Sequence, residues 1–271
     1  MSALVSGEWL AEHLMEVRII DASWHMPSEG RNARAEYEKE HLPGAAFIDI
    51  DALCDQDSPF PHMLPSAQAF ADKMDALGIK NTDHVIVYDS KGIFSAPRMW
   101  WMLRVFGHHK VSVLDGGLPK WKAEGRRLSA RLAPFRSSRG YSVEMQTGLL
   151  RTFKQMKANT VKPKEEVVDA RSAARFKGEA PEPREGLRSG NIPASKNLPF
   201  GEVLTPPHQT MRTPPELEAL FKKAGVDLDK PLVTSCGSGV TACILALALN
   251  EIGKKEVAVY DGSWAEWGSR A

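Results

Sequence analysis

The sequence predicts an α/β protein made of two copies of one unit, each a mostly parallel sheet flanked by helices. Three observations predict it. Short apolar runs alternate with helical patterns along the chain, as they do where strands are joined by helical crossovers. The same landmarks occur twice in the same order, about 146 to 150 residues apart, which is the mark of a tandem repeat. In both copies a strand runs into a glycine-bearing loop and then an apolar helix, so the loop lies where open parallel sheets hold their ligands.

In the first copy, Ile19-Ile20-Asp21-Ala22 reads as a strand, with His41-Leu42-Pro43-Gly44-Ala45 as the turn that follows. Ser66 suits the N-cap of a helix over Ala67–Leu77 that Gly78 closes, since a short hydroxyl satisfies the free amides at a helix start and glycine tolerates the left-handed exit. Val85-Ile86-Val87-Tyr88 is an apolar strand, and Asp89-Ser90-Lys91-Gly92-Ile93-Phe94-Ser95-Ala96 leads from it into a helix over Pro97–Leu103. Trp100, Trp101 and Met102 in that helix are expected to be packing residues. Val111–Leu114, then Asp115-Gly116-Gly117 and Trp121, complete the unit.

The second copy repeats this order. Val167-Val168-Asp169-Ala170 matches the first strand, and Asn191-Ile192-Pro193-Ala194-Ser195 matches the turn. Thr213 opens a helix over Pro214–Ala224, closed by Gly225. Leu232–Ser235 is the strand before Cys236-Gly237-Ser238-Gly239-Val240-Thr241-Ala242, and Cys243–Asn250 is the helix after it. Val257–Tyr260, Asp261-Gly262-Ser263 and Trp267 match the end of the first copy. The turn-forming and basic run Pro134–Gly140 reads as a linker. The expected division is therefore a first domain over 1–130, a linker over 131–150 and a second domain over 151–271.

Composition bounds the function. The 271 residues carry 42% hydrophobic and 25% charged side chains and a net charge of +1, which suits a soluble globular protein without a nucleic-acid or membrane partner. No apolar run approaches the roughly 18 residues of a spanning helix, and the N-terminal residues lack the basic start and apolar run of a signal peptide. Cys54, Cys236 and Cys243 are the only cysteines. They form no disulfide framework and no metal-ligand spacing, so a cytoplasmic protein without a metal or other cofactor is expected.

The chemistry is expected at Cys236. A thiol at the carboxyl end of a strand and the amino end of a helix faces unpaired N–H groups and the positive end of the helix dipole, both of which favour the thiolate. Gly237 and Gly239 clear side chains so that successive amides can turn inward on an anion. Ser238 and Thr241 add hydroxyl donors. Where the second copy has Cys236 the first has Asp89, a poor nucleophile toward sulfur, so the first copy is read as inert. Cys243 is expected to be a core thiol two helical turns on, and acidic neighbours at Asp51, Asp55 and Asp57 should blunt Cys54. Ser263 is expected in a turn near the site. A phosphatase-type loop requires arginine at the sixth position after the cysteine, and Ala242 stands there.

The tandem repeat, the exchange of aspartate for cysteine, and the loop Cys236–Ala242 resemble the two-domain rhodanese family over nearly the whole chain, from Ile19 to Trp267. The resemblance implies a sulfurtransferase in which Cys236 accepts sulfur as a persulfide and passes it to cyanide, a thiol or thioredoxin. Members that use thiosulfate carry basic residues just after the cysteine. Gly237 and Ser238 resemble instead the branch that uses 3-mercaptopyruvate, whose single carboxylate calls for a polar, less charged loop. The resemblance also implies that Arg175 and Arg184, in Asp169-Ala170-Arg171-…-Arg184, hold the donor's carboxylate and keto group, with Arg171 as competitor or as the partner of Asp169. Bidentate guanidinium forks suit a carboxylate. It further implies that Gly237, Gly239, Val240 and Thr241 form the binding loop, and that Ser238, His62 and Asp51 form a proton relay, with Asp49 as the rival of Asp51.

Overall fold

A computed structural model describes residues 2–132, 137 and 139–270. Its contacts divide the chain into two compact units. The first comprises residues 1–56, 65–145 and 206–211, and the second 57–64, 146–205 and 212–271. The second unit therefore includes the short segment around His62, although that segment lies early in the chain.

In the first unit, β1 (Leu4–Val5), β2 (Val17–Asp21), β3 (Ala46–Phe47), β4 (His84–Tyr88) and β5 (Val111–Leu114) form one sheet in the order β1-β5-β4-β2-β3. Every pairing is parallel. The helices are α1 (Gly7–His13), α2 (Ala33–Lys39), α3 (Ile50–Leu53), α4 (Ala67–Ala76), α5 (Ala96–Val105) and α6 (Gly117–Ala123). Ser66 caps α4 by accepting the Ala69 N–H at 3.1 Å, as its position predicts. Leu10, Ile19, Tyr37, Ile86 and Trp121 meet in one core cluster, and Trp100, Trp101 and Met102 are buried on α5.

The second unit repeats the plan. Here β6 (Leu150–Arg151), β7 (Glu166–Asp169), β8 (Lys196–Asn197), β11 (Leu232–Ser235) and β12 (Ala258–Tyr260) form a sheet in the order β6-β12-β11-β7-β8, again wholly parallel. The short strand β9 (Leu204–Thr205) of this unit and β10 (Thr210–Met211) of the first stand outside both five-stranded sheets. Helices α7 (Phe153–Val161), α8 (Ala173–Lys177), α9 (Pro214–Lys223), α10 (Ala242–Glu251) and α11 (Ser263–Arg270) complete it. A capping box of Thr213 and Glu216 starts α9, and residues 242–249 of α10 are all buried. Met156, Val233, Tyr260, Trp264 and Trp267 form the core. In each sheet the central strand, β4 or β11, ends at the repeated loop, so Asp89 and Cys236 occupy matched places.

Both ends of the expected linker, 131–150, make contacts with a unit. Asp75 accepts the N–H groups of Gly140 and Tyr141, both at 3.1 Å, and the Tyr141 ring lies against Phe70 and His108, tying this stretch to the first unit. At the other end, Leu150–Arg151 pairs with β12 and belongs to the second sheet. The reason is that an aromatic side chain and an edge-strand register each find a partner that local polarity does not reveal. Residues 133–136 and 138, within the predicted linker run, lie outside the described residues.

The carboxyl ends of β2 and β7 show one position solved in two ways. Asp21 is buried and accepts the Ser23 N–H at 2.9 Å. Burial pushes its carboxyl up to about 6, against hydrogen bonds from Ser23 and Tyr88 that pull it down. A group raised from 3.8 to about 6 contributes stability that is present below pH 4 and is lost as pH rises through 6. Asp21→Asn should therefore flatten the stability profile of the first unit between pH 4 and 7 and exceed the parent near pH 7 by roughly 3 kcal/mol at most. Urea denaturation across that range checks this, and parallel profiles for the two proteins would contradict it.

Candidate functional site

The first unit shows what the repeated loop is built to do. The Asp89 carboxylate accepts four backbone N–H groups: Lys91 at 2.9 Å, Phe94 at 2.8 Å, Ser95 at 2.9 Å and Ala96 at 2.9 Å. The loop closes around an anion at the end of β4. Gly92 permits the turn, with φ at +110°, and a Cβ there would lie 2.2 Å from the His208 carbonyl oxygen.

In the second unit Cys236 takes the place of Asp89, and Gly239 makes the matching turn at φ +78°. The positions corresponding to the four donors are Ser238, Thr241, Ala242 and Cys243. The last differs, because the Cys243 N–H donates to the Val240 carbonyl at 3.2 Å. Cys236 is 1% exposed. Its N–H donates to Ser263 Oγ at 3.1 Å, and that hydroxyl lies 4.0 Å from Cys236 Sγ while donating to the Tyr260 carbonyl at 2.8 Å. The carbonyls of Cys236 and Gly237 accept the N–H groups of Trp264 and Ala265 at 2.9 and 2.8 Å, which fixes the loop to the start of α11. Ser263 adopts a positive φ of 47° to make this possible. Its turn was legible in the sequence, but its contact with Cys236 was not.

His62 and Ser238 come together. His62 Nδ1 lies 3.0 Å from Ser238 Oγ and 3.3 Å from the Ser238 carbonyl, and the ring is buried. The segment is held nearby: the Leu64 N–H donates to Asp261 Oδ2 at 2.8 Å, and the Arg270 guanidinium lies over the Phe60 ring at 4.8 Å. Asp51 belongs to the first unit, where its carboxylate accepts the Trp24 indole N–H at 2.8 Å. Asp49 caps α3, accepting the N–H groups of Asp51 and Ala52.

The arginines divide by partner. Arg171 is buried and forks onto Asp169, with Nη2 2.7 Å from Oδ2, while its Nη1 donates to Glu182 Oε1 at 2.7 Å. Its guanidinium also lies over the Trp264 ring at 4.3 Å. Arg171 is thus the internal partner of Asp169. The Asp169 and Glu182 carboxylates raise its pKa against the lowering effect of burial. Arg175, on α8, donates to Glu182 Oε2 at 2.5 Å and reaches the cysteine loop. A Cβ on Gly237 would lie 3.1 Å from Arg175 Nη2, so the glycine makes room for the guanidinium. Arg184 is partly exposed on the segment after α8. The spacing of Glu182 from the two arginines carried no periodic signal, and sequence reasoning missed it.

The other thiols are accounted for. Cys243 is buried and donates to the Gly239 carbonyl at 3.2 Å, a core thiol as expected. Cys54 Sγ lies 3.0 Å from the Asp51 carbonyl. Among the described residues no disulfide joins any of the three cysteines, and no group of three or more His, Cys, Asp or Glu side chains is placed to hold a metal ion.

A parallel-sheet unit that ends its central strand in an anion-holding loop, present twice with one cysteine, defines a class that comparison identifies. The rhodanese-like domain family model matches residues 6–124 and 152–270, and the chain belongs to the rhodanese family. It is 46% identical over 277 residues to 3-mercaptopyruvate sulfurtransferase of Rattus norvegicus, covering 99% of this chain and 93% of the relative. It is 44% identical over 273 residues to the protein of the same name from Escherichia coli K12, covering 98% and 95%. It is also 44% identical over 278 residues to thiosulfate sulfurtransferase of Gallus gallus, covering 99% and 94%. Among solved structures it resembles SseA from Escherichia coli, a rhodanese-fold 3-mercaptopyruvate sulfotransferase, with a TM-score of 0.88 and 40% identity over 97% of this chain and 99% of that one.

Glu182 holds two guanidiniums while its side chain is 2% exposed. Glu182→Ala would leave Arg171 partly unpaired in the interior, and it should lower the stability of the second unit by about 3 to 5 kcal/mol. Glu182→Gln, which keeps the shape and one acceptor, should lose less. Denaturation of both variants checks the order, and equal losses would remove the charge argument.

Proposed function

We propose that the protein is a 3-mercaptopyruvate sulfurtransferase working through a Cys236 persulfide. The observation that carries this reading is the matched loop: four amides converge on an anion at Asp89, and the second unit sets a thiol in that place. A loop built to hold an anion favours the thiolate and then the persulfide.

The Cys236 thiolate attacks the sulfur of 3-mercaptopyruvate. The new S–S bond forms as the donor's C–S bond breaks, and the electron pair leaves on the pyruvate enolate. Protonation at the methylene carbon completes pyruvate, and Cys236 is left as the persulfide. In the second half-reaction a thiolate, cyanide or the thiol of a protein such as thioredoxin attacks the outer sulfur, and the Cys236 thiolate returns. This is covalent catalysis in two half-reactions. Arg175, beside Gly237, binds the donor carboxylate together with Arg184. Gly237, Gly239, Val240 and Thr241 shape the loop, and the Ser238–His62 pair moves the proton. Asp51 matches the relay's third member by family position, and in the first unit its carboxylate accepts the Trp24 indole N–H. Free thiols and a persulfide suit a reducing compartment such as the cytoplasm. No helix among the described residues is long and apolar enough to cross a membrane.

Thiosulfate is the competing donor. Relatives named for each donor share 44% identity with this chain, so overall identity does not separate them, and the uncharged pair Gly237 and Ser238 supports 3-mercaptopyruvate. A dianion gains most from cations beside the nucleophile, and this loop supplies none at those positions. Mass spectrometry after incubation with 3-mercaptopyruvate should show a gain of one sulfur atom on Cys236. No gain would contradict the proposal, and faster loading from thiosulfate would reverse the donor assignment. Arg184→Ala should raise KM for 3-mercaptopyruvate by about tenfold or more, the scale of a lost charged hydrogen bond, while Cys236 stays open to alkylation. Steady-state kinetics check this, and an unchanged KM would take Arg184 out of the donor site.

A further inference from the structure

A cavity of about 400 Å³ lies in the first unit beside the Asp89 loop, at the carboxyl end of a parallel sheet where such folds bind small molecules. We propose that it is a second, non-catalytic site, taking a small monocarboxylate such as pyruvate.

Three observations point there. Ser90 lines the cavity at the position that matches Gly237 in the catalytic loop. Its N–H donates to Ser23 Oγ at 2.9 Å, but its own hydroxyl is buried with no hydrogen-bond partner among the described residues. An unmet buried hydroxyl is costly and asks for a ligand acceptor.

The charges fit one small anion. Arg31, Lys39 and Lys122 face the cavity with Glu36 and Glu40. Glu36 holds Arg31 bidentately, at 2.8 and 2.7 Å, and Glu40 pairs with Lys122. Lys39 is left as the surplus cation among the described side chains that line the cavity. A dianion would meet two carboxylates with one spare positive charge, so a monoanion is favoured. Leu118 and Pro119 supply an apolar wall against which a methyl group can lie. The site binds without chemistry, because the nucleophile's place is taken by Asp89, whose carboxylate is already held by four amides.

Equilibrium dialysis of labelled pyruvate against the full chain tests the assignment. The isotherm should contain a component that Lys39→Gln and Ser90→Ala each weaken about tenfold, that Lys39→Arg preserves, and that Arg184→Ala leaves intact. Persulfide formation on Cys236 should be unchanged in the Lys39 and Ser90 variants, which separates this site from the catalytic one. Acetate should displace the component at lower concentration than sulfate. Identical isotherms for the parent, Lys39→Gln and Ser90→Ala would overturn the proposal. So would a single component that Arg184→Ala removes. Equal displacement by sulfate would overturn the carboxylate assignment in favour of oxyanions at large.

Discussion

The convergence of backbone N–H groups on an anion at the end of the central strand is the interaction on which the rest of this protein depends. In the first unit the anion is a covalent part of the chain, the Asp89 carboxylate, and four amides hold it at 2.8 to 2.9 Å. Amides can face inward only where side chains stay out, hence Gly92 and Gly239 at positive φ. They can stay in place only if the helix that follows is anchored, which the buried faces of α5 and α10 provide. Sheet order, helix burial and loop composition all serve one electrostatic arrangement. One side chain differs between the two loops: Cys236 stands where the first unit has its carboxylate.

Buried charge is the second constraint, and the two units meet it differently. Asp169 is met by a guanidinium fork from Arg171, which Glu182 shares with Arg175. Every member of that network has an opposite charge in hydrogen-bond reach, as a buried ion pair requires. Asp21 stands at the same position of the first sheet with Ser23 where the second unit has Arg171. Without a cation, burial lifts its carboxyl to about 6. The second unit therefore keeps a charged network that ends at the Cys236 loop, while the first moves toward a neutral carboxyl at Asp21.

The network links fold to chemistry. Glu182 orients Arg175, and Gly237, lacking a Cβ, lets Arg175 Nη2 reach the backbone of the cysteine loop. A basic residue at Gly237 would compete for the same space. The difference between an uncharged and a basic loop is thus steric as well as electrostatic.

Much of this was legible in the sequence because repetition and periodicity are local. The repeat, the strand–loop–helix order, the caps at Ser66 and Thr213, and the singular Cys236 all follow from short-range spacing and residue chemistry. The packing of Tyr141 and the pairing of Leu150–Arg151 with β12 were not legible there, because they are contacts between distant segments. The same holds for the site. Sequence alone could nominate Arg175, Arg184, Ser238 and His62, but it could not show that Glu182 joins two arginines or that Ser263 touches Cys236. Nor could it show that residues 57–64 belong with the second unit. The architecture and the exchange of Asp89 for Cys236 could be read from the chain's order of residues, since both are written in neighbouring positions. Which charges neutralise one another and which polar groups meet the Cys236 thiol emerged from the folded chain, because those pairings depend on distances between residues far apart in sequence.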